Sequence, residues 1–286
     1  MKILIIQEKG RHKLNENFRE SLNLSRALDR INIDNVVWGK GYDNFKIKFD
    51  EISKECDVII LLENYEVNNW IPDLSHNKQL KLFWSIDSHC ILNKHINTCN
   101  KHHINIVLNA VYGHDKHFKN QKCHYFPNAY PDDLIYPIND IEKIHDIGFC
   151  GNYVNRKQWI DNINKKYNIK RDIFVIGKNM VKTINGYKIH FNKNIGGDIN
   201  FRTFETLGCK TFLLTDKTPG LNDLFKIGEE IIIYNNMNDL LDKINYYLKN
   251  EKEREEVTTK GYNKVKQYHT YNNRANELVS LINKNI

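Results

Sequence analysis

The sequence predicts an α/β protein of two similar-sized domains with a cleft between them, and three observations carry that expectation. Apolar runs of strand length alternate with helical stretches along the chain, as in parallel sheets covered by helices. The alternation breaks at Asn128-Ala-Tyr-Pro-Asp-Asp-Leu-Ile-Tyr-Pro137, a stretch of prolines and acidic residues, and then restarts from a strand of its own. The 286 residues suit two α/β domains of about 140 residues each better than one core. The expected division is 1–136 and 137–270, with a final helix over 271–286.

Lys2 to Gln7 is apolar and of strand length. A polar loop, Glu8-Lys-Gly-Arg-His-Lys13, leads into a helical pattern through Phe18, Leu22, Leu24 and Leu28. Strand, Gly-bearing loop and helix in that order open a Rossmann-like sheet. Further strands are expected at Asn35 to Trp38, Asp57 to Glu63, Leu80 to His89, Ile104 to Asn109 and Lys122 to Pro127. The run Asp57 to Glu63 is continuous and apolar, as buried parallel strands are. After the break, Asp146-Ile-Gly-Phe-Cys-Gly151 is a strand turning through glycine, with a helix from about Gln158 to Lys166. Asp172 to Gly177, Tyr187 to Phe191 and Glu230 to Tyr234 read as later strands. Met237, Leu240, Leu241, Ile244, Tyr247 and Leu248 mark one face of an amphipathic helix, and Glu251 to Gln267 and Tyr271 to Asn285 are helical.

Composition narrows the function classes. The net charge of +7 comes from 42 basic against 35 acidic residues, so the basicity is diluted over a large surface. It fits an anionic ligand and permits a nucleic-acid partner without requiring one. The opening apolar run is too short for a signal-peptide core and no run approaches the roughly 18 residues of a membrane span, so a cytoplasmic protein is expected. The six cysteines form no C-x-x-C pair and read as reduced, mostly buried thiols. Histidines and cysteines crowd into residues 89–124, yet without the spacing of a zinc site, and no D-x-D pair ends a strand. No metal is expected.

The stretch Asn200 to Phe225 holds the strongest site signal. A helix headed by polar residues and carrying Glu205 runs into a buried strand, Thr211 to Leu214, and then into a turn through Thr215, Asp216, Pro219 and Gly220. In parallel α/β sheets, ligands sit at the carboxyl ends of strands and the amino ends of helices, where unpaired N–H groups attract phosphate. A nucleotide site containing Glu205 is therefore expected. The loop Gly10-Arg-His-Lys13 is a weaker phosphate candidate because it lacks G-x-G-x-x-G.

The C-terminal half resembles the CgeB-like glycosyltransferases, relatives of the group-1 glycosyltransferases with the two-Rossmann GT-B fold. The matching residues are Asp146-Ile-Gly-Phe-Cys-Gly-Asn152 with Arg156, Asn200-x-Arg202-x-Phe204-Glu205, Leu213-Leu-Thr-Asp216, Gly220-Leu221 with Leu224-Phe225, Tyr246-Tyr-Leu248, Glu253-Arg254, Gly261, and His269-Thr-Tyr271 with Arg274. The N-terminal half is similar only at Phe83-Trp-Ser-Ile-Asp87 and at Phe126-Pro-Asn-Ala129 with Asp132. The resemblance implies a nucleotide-sugar donor, a UDP-sugar, held by the C-terminal domain, an acceptor held by the N-terminal one, and a final helix crossing back to the N-terminal domain. It places Glu205 on the donor ribose, Arg156 near the diphosphate, and Gly151 and Asn152 where the backbone approaches the donor. Two departures stand out. Lys210 follows the Glu205 helix where relatives have glycine, and the first of their paired acidic residues falls on Gly197.

Sugar transfer develops negative charge on the departing diphosphate, which without a metal must be met by cations and helix N-termini. Arg156, Asn200, Arg202 and the turn at Gly220 and Leu221 are the candidates. Asp87 and His89, at the carboxyl end of a strand, are the candidates for accepting the proton of an acceptor hydroxyl. That acceptor is a glycan, a small molecule or a hydroxymethylated DNA base. The competing reading is a non-catalytic nucleotide-sugar-binding module, since fold does not fix function.

Overall fold

The structure is a computed structural model that describes residues 1–10, 12–64 and 69–286. Arg11 of the Gly10 to Lys13 loop lies outside the described residues. The chain opens with strand β1 (Lys2–Ile6), helix α1 (Glu20–Arg30), β2 (Asp34–Trp38), α2 (Phe49–Lys54), β3 (Val58–Leu62), β4 (Leu80–Ser85), α3 (Ser88–Lys101), β5 (Ile106–Asn109) and β6 (Lys122–Tyr125). It continues through β7 (His145–Gly151), α4 (Lys157–Asn164), β8 (Ile169–Ile173), α5 (Gly177–Asn185), β9 (Tyr187–Phe191), α6 (Phe201–Gly208), β10 (Phe212–Asp216), α7 (Leu221–Leu224) and β11 (Ile232–Tyr234). It ends in α8 (Met237–Lys249), α9 (Glu251–Tyr268) and α10 (Tyr271–Asn283). Among the described residues, no helix is long and apolar enough to cross a membrane.

Two compact units result: Met1–Pro127 with Tyr271–Ile286, and Asn128–Thr270. The division expected at 136 thus falls earlier in the chain. The physical reason is that the Pro-rich stretch is tied into the second unit: Tyr130 bridges to Thr270, and the Asn128 amide donates to the Ile199 carbonyl at 3.2 Å.

In the first unit six parallel strands run in the order β2-β1-β3-β4-β5-β6. β1 and β3 are apolar on both faces because helices cover both, and Ile3 to Ile6 and Val58 to Leu62 are fully buried. The final helix α10 packs against α1, with the Tyr271 ring 6.2 Å from Trp84 and the Arg274 Nε donating to the Pro127 carbonyl at 2.7 Å. The strand order reverses between β1 and β3, which makes the carboxyl ends of those two strands the switch point where α/β sheets bind ligands.

In the second unit five parallel strands run β11-β10-β9-β7-β8, so the switch point lies between β7 and β9. The strand expected at Asp172–Gly177 is instead Ile169–Ile173, and Gly177 opens α5. β8 is an edge strand paired only with β7, and it carries exposed Lys170 and Arg171. The apolar run that suggested a strand lies beyond it, with Phe174 exposed and at φ 56°. The strand expected through His89 likewise stops at Ser85, because α3 begins at Ser88.

Gly148 in β7 admits no side chain, since a Cβ there would lie 2.2 Å from the buried ring of Tyr187 in β9. The ring cannot withdraw, because its hydroxyl is hydrogen-bonded to Asp172 at 2.5 Å. Gly148→Ala should lower stability by about 1–3 kcal/mol through overpacking. A thermal unfolding midpoint equal to that of the wild type would show that the β7–β9 contact yields.

Candidate functional site

The residues expected on the donor side gather at the switch point of the second unit. β7 ends at Gly151, whose φ of 157° lets the chain turn sharply, and Asn152 closes the turn by accepting the Val154 amide at 3.0 Å. Arg156 folds back over this turn. Its Nε donates to the Lys193 carbonyl at 3.1 Å and its Nη1 to the Asn152 carbonyl at 3.4 Å. Burial pulls the Arg156 guanidinium below its usual value, and the positive charge of Arg202 adds to the effect.

α6 starts at the same place. Its N-cap is Asn200, whose side chain accepts the Thr203 amide at 3.3 Å and so satisfies one of the free donors of the first turn. Two residues on, Arg202 pairs with Glu205 across one helical turn and also donates to the Met180 sulfur. Burial is the largest influence and lowers the Arg202 guanidinium, but Glu205 together with Cys150, Cys209 and Tyr187 outweighs it and the net direction is upward. Arg202 therefore serves first as the counter-ion that orients Glu205. The helix exit takes an unusual path. Lys210 adopts φ 51° and lets the Thr211 amide reach the Thr206 carbonyl at 3.2 Å.

Two residues to which the sequence reading gave no site role stitch this rim together. His190, inside the apolar strand β9 and fully buried, accepts the Cys150 amide on Nε2 at 3.2 Å. That bond fixes the proton on Nδ1, which donates to the Thr206 hydroxyl at 2.6 Å, and this hydroxyl donates to the Arg202 carbonyl at 2.6 Å. Burial keeps His190 well below its ordinary value, with the Arg202 charge acting in the same direction, so the imidazole is neutral. The second is Asp216 at the end of β10, which pairs with Lys193 at 3.1 Å and accepts the Asn194 amide at 2.8 Å. A lone histidine in an apolar strand and an acid ending a buried one were the available signals.

The turn before α7 joins the rim through Thr218, whose hydroxyl meets the Asn194 side chain at 2.9 Å. Gly220 is left-handed at φ 79°, as its place in the turn requires. Leu221 differs from its expected role. Its side chain is buried in the core and its amide is bonded to the Thr218 carbonyl, so it packs and presents nothing to a ligand.

Asp87 and His89 belong to the first unit, at the start of α3. Asp87 is the N-cap residue, yet its carboxyl makes no cap hydrogen bond and is hydrogen-bonded instead to the Glu63 side chain. Burial raises the Asp87 carboxyl to about 7, with the charges of Glu63 and Glu20 contributing after it. Glu63, the ionisable residue that follows the wholly apolar β3, was missed in the sequence. Its Oε2 accepts the amides of Ile86 at 3.1 Å and Asp87 at 2.6 Å, and lies 3.2 Å from His95 Nε2. Four of the histidines of residues 89–124 have separate hydrogen-bond partners: His95 with Ser85 at 2.8 Å, His114 with Ser88 at 2.9 Å, His124 with Glu277 at 2.7 Å, and His102 with the Leu74 amide at 3.2 Å. All six cysteines are free thiols.

Solved structures share this fold over the whole chain. The beta-glucosyltransferase of T4 phage matches with a TM-score of 0.67 at 16% identity, covering 99% of both chains. An alpha-glucosyltransferase in complex with UDP and a 13-mer DNA containing an HMU base matches with a TM-score of 0.70 at 12% identity, again over 99% of both. The Anabaena protein HepE in complex with UDP and glucose gives 0.64 at 11% identity, over 99% of this chain and 100% of its own. These likenesses establish the GT-B fold. No curated protein sequence matches the chain. The glycosyl transferase-like family matches residues 133–280, just over half of the chain and nearly all of the unit that carries Gly151, Arg156 and Glu205, and the chain belongs to that family.

Proposed function

We propose that the protein transfers a hexose from a UDP-sugar to a hydroxyl acceptor without a metal. The observation that carries this reading is the rim of the second unit, where hydrogen bonds join the loops that carry Arg156 and Lys193 to the capped N-terminus of α6, and α6 carries a Glu205 carboxylate held in place by Arg202. A carboxylate so fixed suits two ribose hydroxyls, and the cations and helix N-terminus suit a diphosphate. In the reaction the acceptor oxygen bonds to the anomeric carbon, the bond from that carbon to the β-phosphate oxygen breaks, and UDP leaves with the electron pair. Arg156 and the α6 amides meet the charge that appears on UDP. Asp87, in the first unit, takes the proton of the acceptor hydroxyl.

The acceptor end of the first unit is acidic. Glu8, Glu20, Glu63 and Asp87 all lie at or beside the carboxyl ends of β1, β3 and β4, with Arg19 contacting Glu8 at 3.5 Å and Glu20 at 3.0 Å. Such a lining favours an uncharged hydroxyl over a phosphate at the point of transfer. The hydroxymethyl group of a modified DNA base meets that condition as well as a glycan does, and the net charge of +7 is compatible with either.

UDP at about one hundred times its dissociation constant should stabilise the folded chain by about 2.7 kcal/mol, read as a rise in melting temperature. Glu205→Ala should remove most of that rise. Equal melting with and without nucleotide, across UDP, GDP and ADP, would refute a donor site. Mass spectrometry of a glycan and hydroxymethylated-DNA panel incubated with UDP-glucose then separates transfer from mere binding.

A further inference from the structure

We propose that Glu63 is a positioning residue for the base: it fixes the β4–α3 turn that presents Asp87 and supplies the negative charge that keeps Asp87 a competent proton acceptor. This rests on Asp87 being the base.

The geometry is specific. Glu63 follows β3 directly, and its backbone is anchored on both sides. Its amide donates to the Trp84 carbonyl at 3.2 Å, and its carbonyl accepts from the Gln7 side chain at 2.9 Å. From this fixed point one carboxylate oxygen collects the two consecutive amides of Ile86 and Asp87. Those are the amides that leave β4 for α3, so the direction of Asp87 is set by a side chain from the neighbouring strand. His95 Nε2 approaches the same oxygen at 3.2 Å from α3, and its other nitrogen is held by Ser85 of β4. Glu63 thus has two backbone donors on one oxygen and the His95 ring beside it, which favours its ionised form. Burial opposes that form, but His95 and the two amides outweigh it and hold Glu63 below the usual carboxylate range.

Asp87 meets the opposite conditions. Within the first unit the groups facing it are carboxylates from two other elements, Glu63 after β3 and Glu20 of α1, with His89 on its own helix. Arg19 sits against Glu20 and Glu8 and partly offsets them. Two neighbouring carboxyl groups with their affinities pushed apart assign the roles: Glu63 stays charged, and Asp87 exchanges the proton. When the acceptor hydroxyl is deprotonated its proton lodges on Asp87, and Glu63 stays ionised.

Glu63→Gln tests this, because the amide oxygen of glutamine can still accept from both backbone amides while the charge is gone. The acid limb of the pH profile for transfer should move to lower pH by about one unit, and the rate above pH 8 should fall about threefold to tenfold as the base weakens. The UDP-induced melting shift should stay at the wild-type value. An unchanged acid limb with an unchanged plateau rate would overturn the proposal while leaving Asp87 as base untouched. A fully active Asp87→Asn would instead remove the reading beneath it. Should Glu63→Gln not fold, the wild-type protein labelled with carboxyl-¹³C aspartate serves. One resonance should titrate near pH 7 and vanish in Asp87→Asn, and absence of any aspartate titrating above pH 6 would overturn the proposal.

Discussion

Asp87→Asn is expected to lower the turnover of sugar transfer by about 10²- to 10⁴-fold while leaving the UDP-induced melting shift intact. The substitution is mild for the fold, because the Asp87 side chain makes no cap hydrogen bond and asparagine is an equally good N-cap residue. The backbone amide of residue 87 stays on Glu63, so the turn keeps its anchor. What the variant loses is the capacity to take a proton. The pH dependence follows with a definite sign. Burial, then the charges of Glu63 and Glu20, raise Asp87 to about 7. A base must be ionised to act, so kcat/KM should climb with pH through about 7 and level off above it, with about a tenfold loss one pH unit below the midpoint. Turnover in Asp87→Asn above one tenth of the wild type, or a flat profile between pH 5 and 8, would show that another group accepts the proton.

The fold was legible where burial leaves a plain mark on composition. β1, β3 and the first three residues of the strand at Phe212–Asp216 are buried on both faces, so their sequences are apolar runs and their positions follow directly. β8 was misplaced for the complementary reason. An edge strand is held by backbone bonds to one neighbour, and its exposed Lys170 and Arg171 carry no apolar signal. The rim of the second unit was legible through Gly151 and Asn200, whose residue types suit a glycine turn and a helix cap. Its supports were not. His190 and Thr206 meet across sixteen residues of chain through a 2.6 Å bond, and nothing in either local sequence announces the other. Glu63 was hidden in the same way, since its partners Ile86, Asp87 and His95 come from β4 and α3. Residues that touch ligand have local signatures, whereas residues that hold them in place are defined by tertiary contacts.

Arg202→Met should cost about 3 kcal/mol of stability, seen as a fall of roughly 6–12 °C in melting temperature. The guanidinium is four-fifths buried and pairs with Glu205, itself only 15% exposed, so its removal strands a carboxylate that water reaches poorly. Losing one partner of a buried pair costs about 3–5 kcal/mol, and the residual exposure here puts the effect at the lower end. Methionine fills the space left beside Met180 and keeps the helix propensity of α6, which isolates the charge as the cause. Glu205→Gln alone leaves Arg202 without its counter-ion and should also destabilise. The double variant, which has no buried charge at this site, should recover much of the loss, giving a coupling of about 1–3 kcal/mol in a double-mutant cycle. The same cycle bears on function. If Arg202 serves to orient Glu205 for the ribose, Arg202→Met raises the KM for the UDP-sugar more than it lowers kcat, because the lost interaction is made equally by bound substrate and transition state. A variant with unchanged melting and unchanged KM would mean that Arg202 and Glu205 act independently, and that the orientation of the donor carboxylate comes from elsewhere on α6.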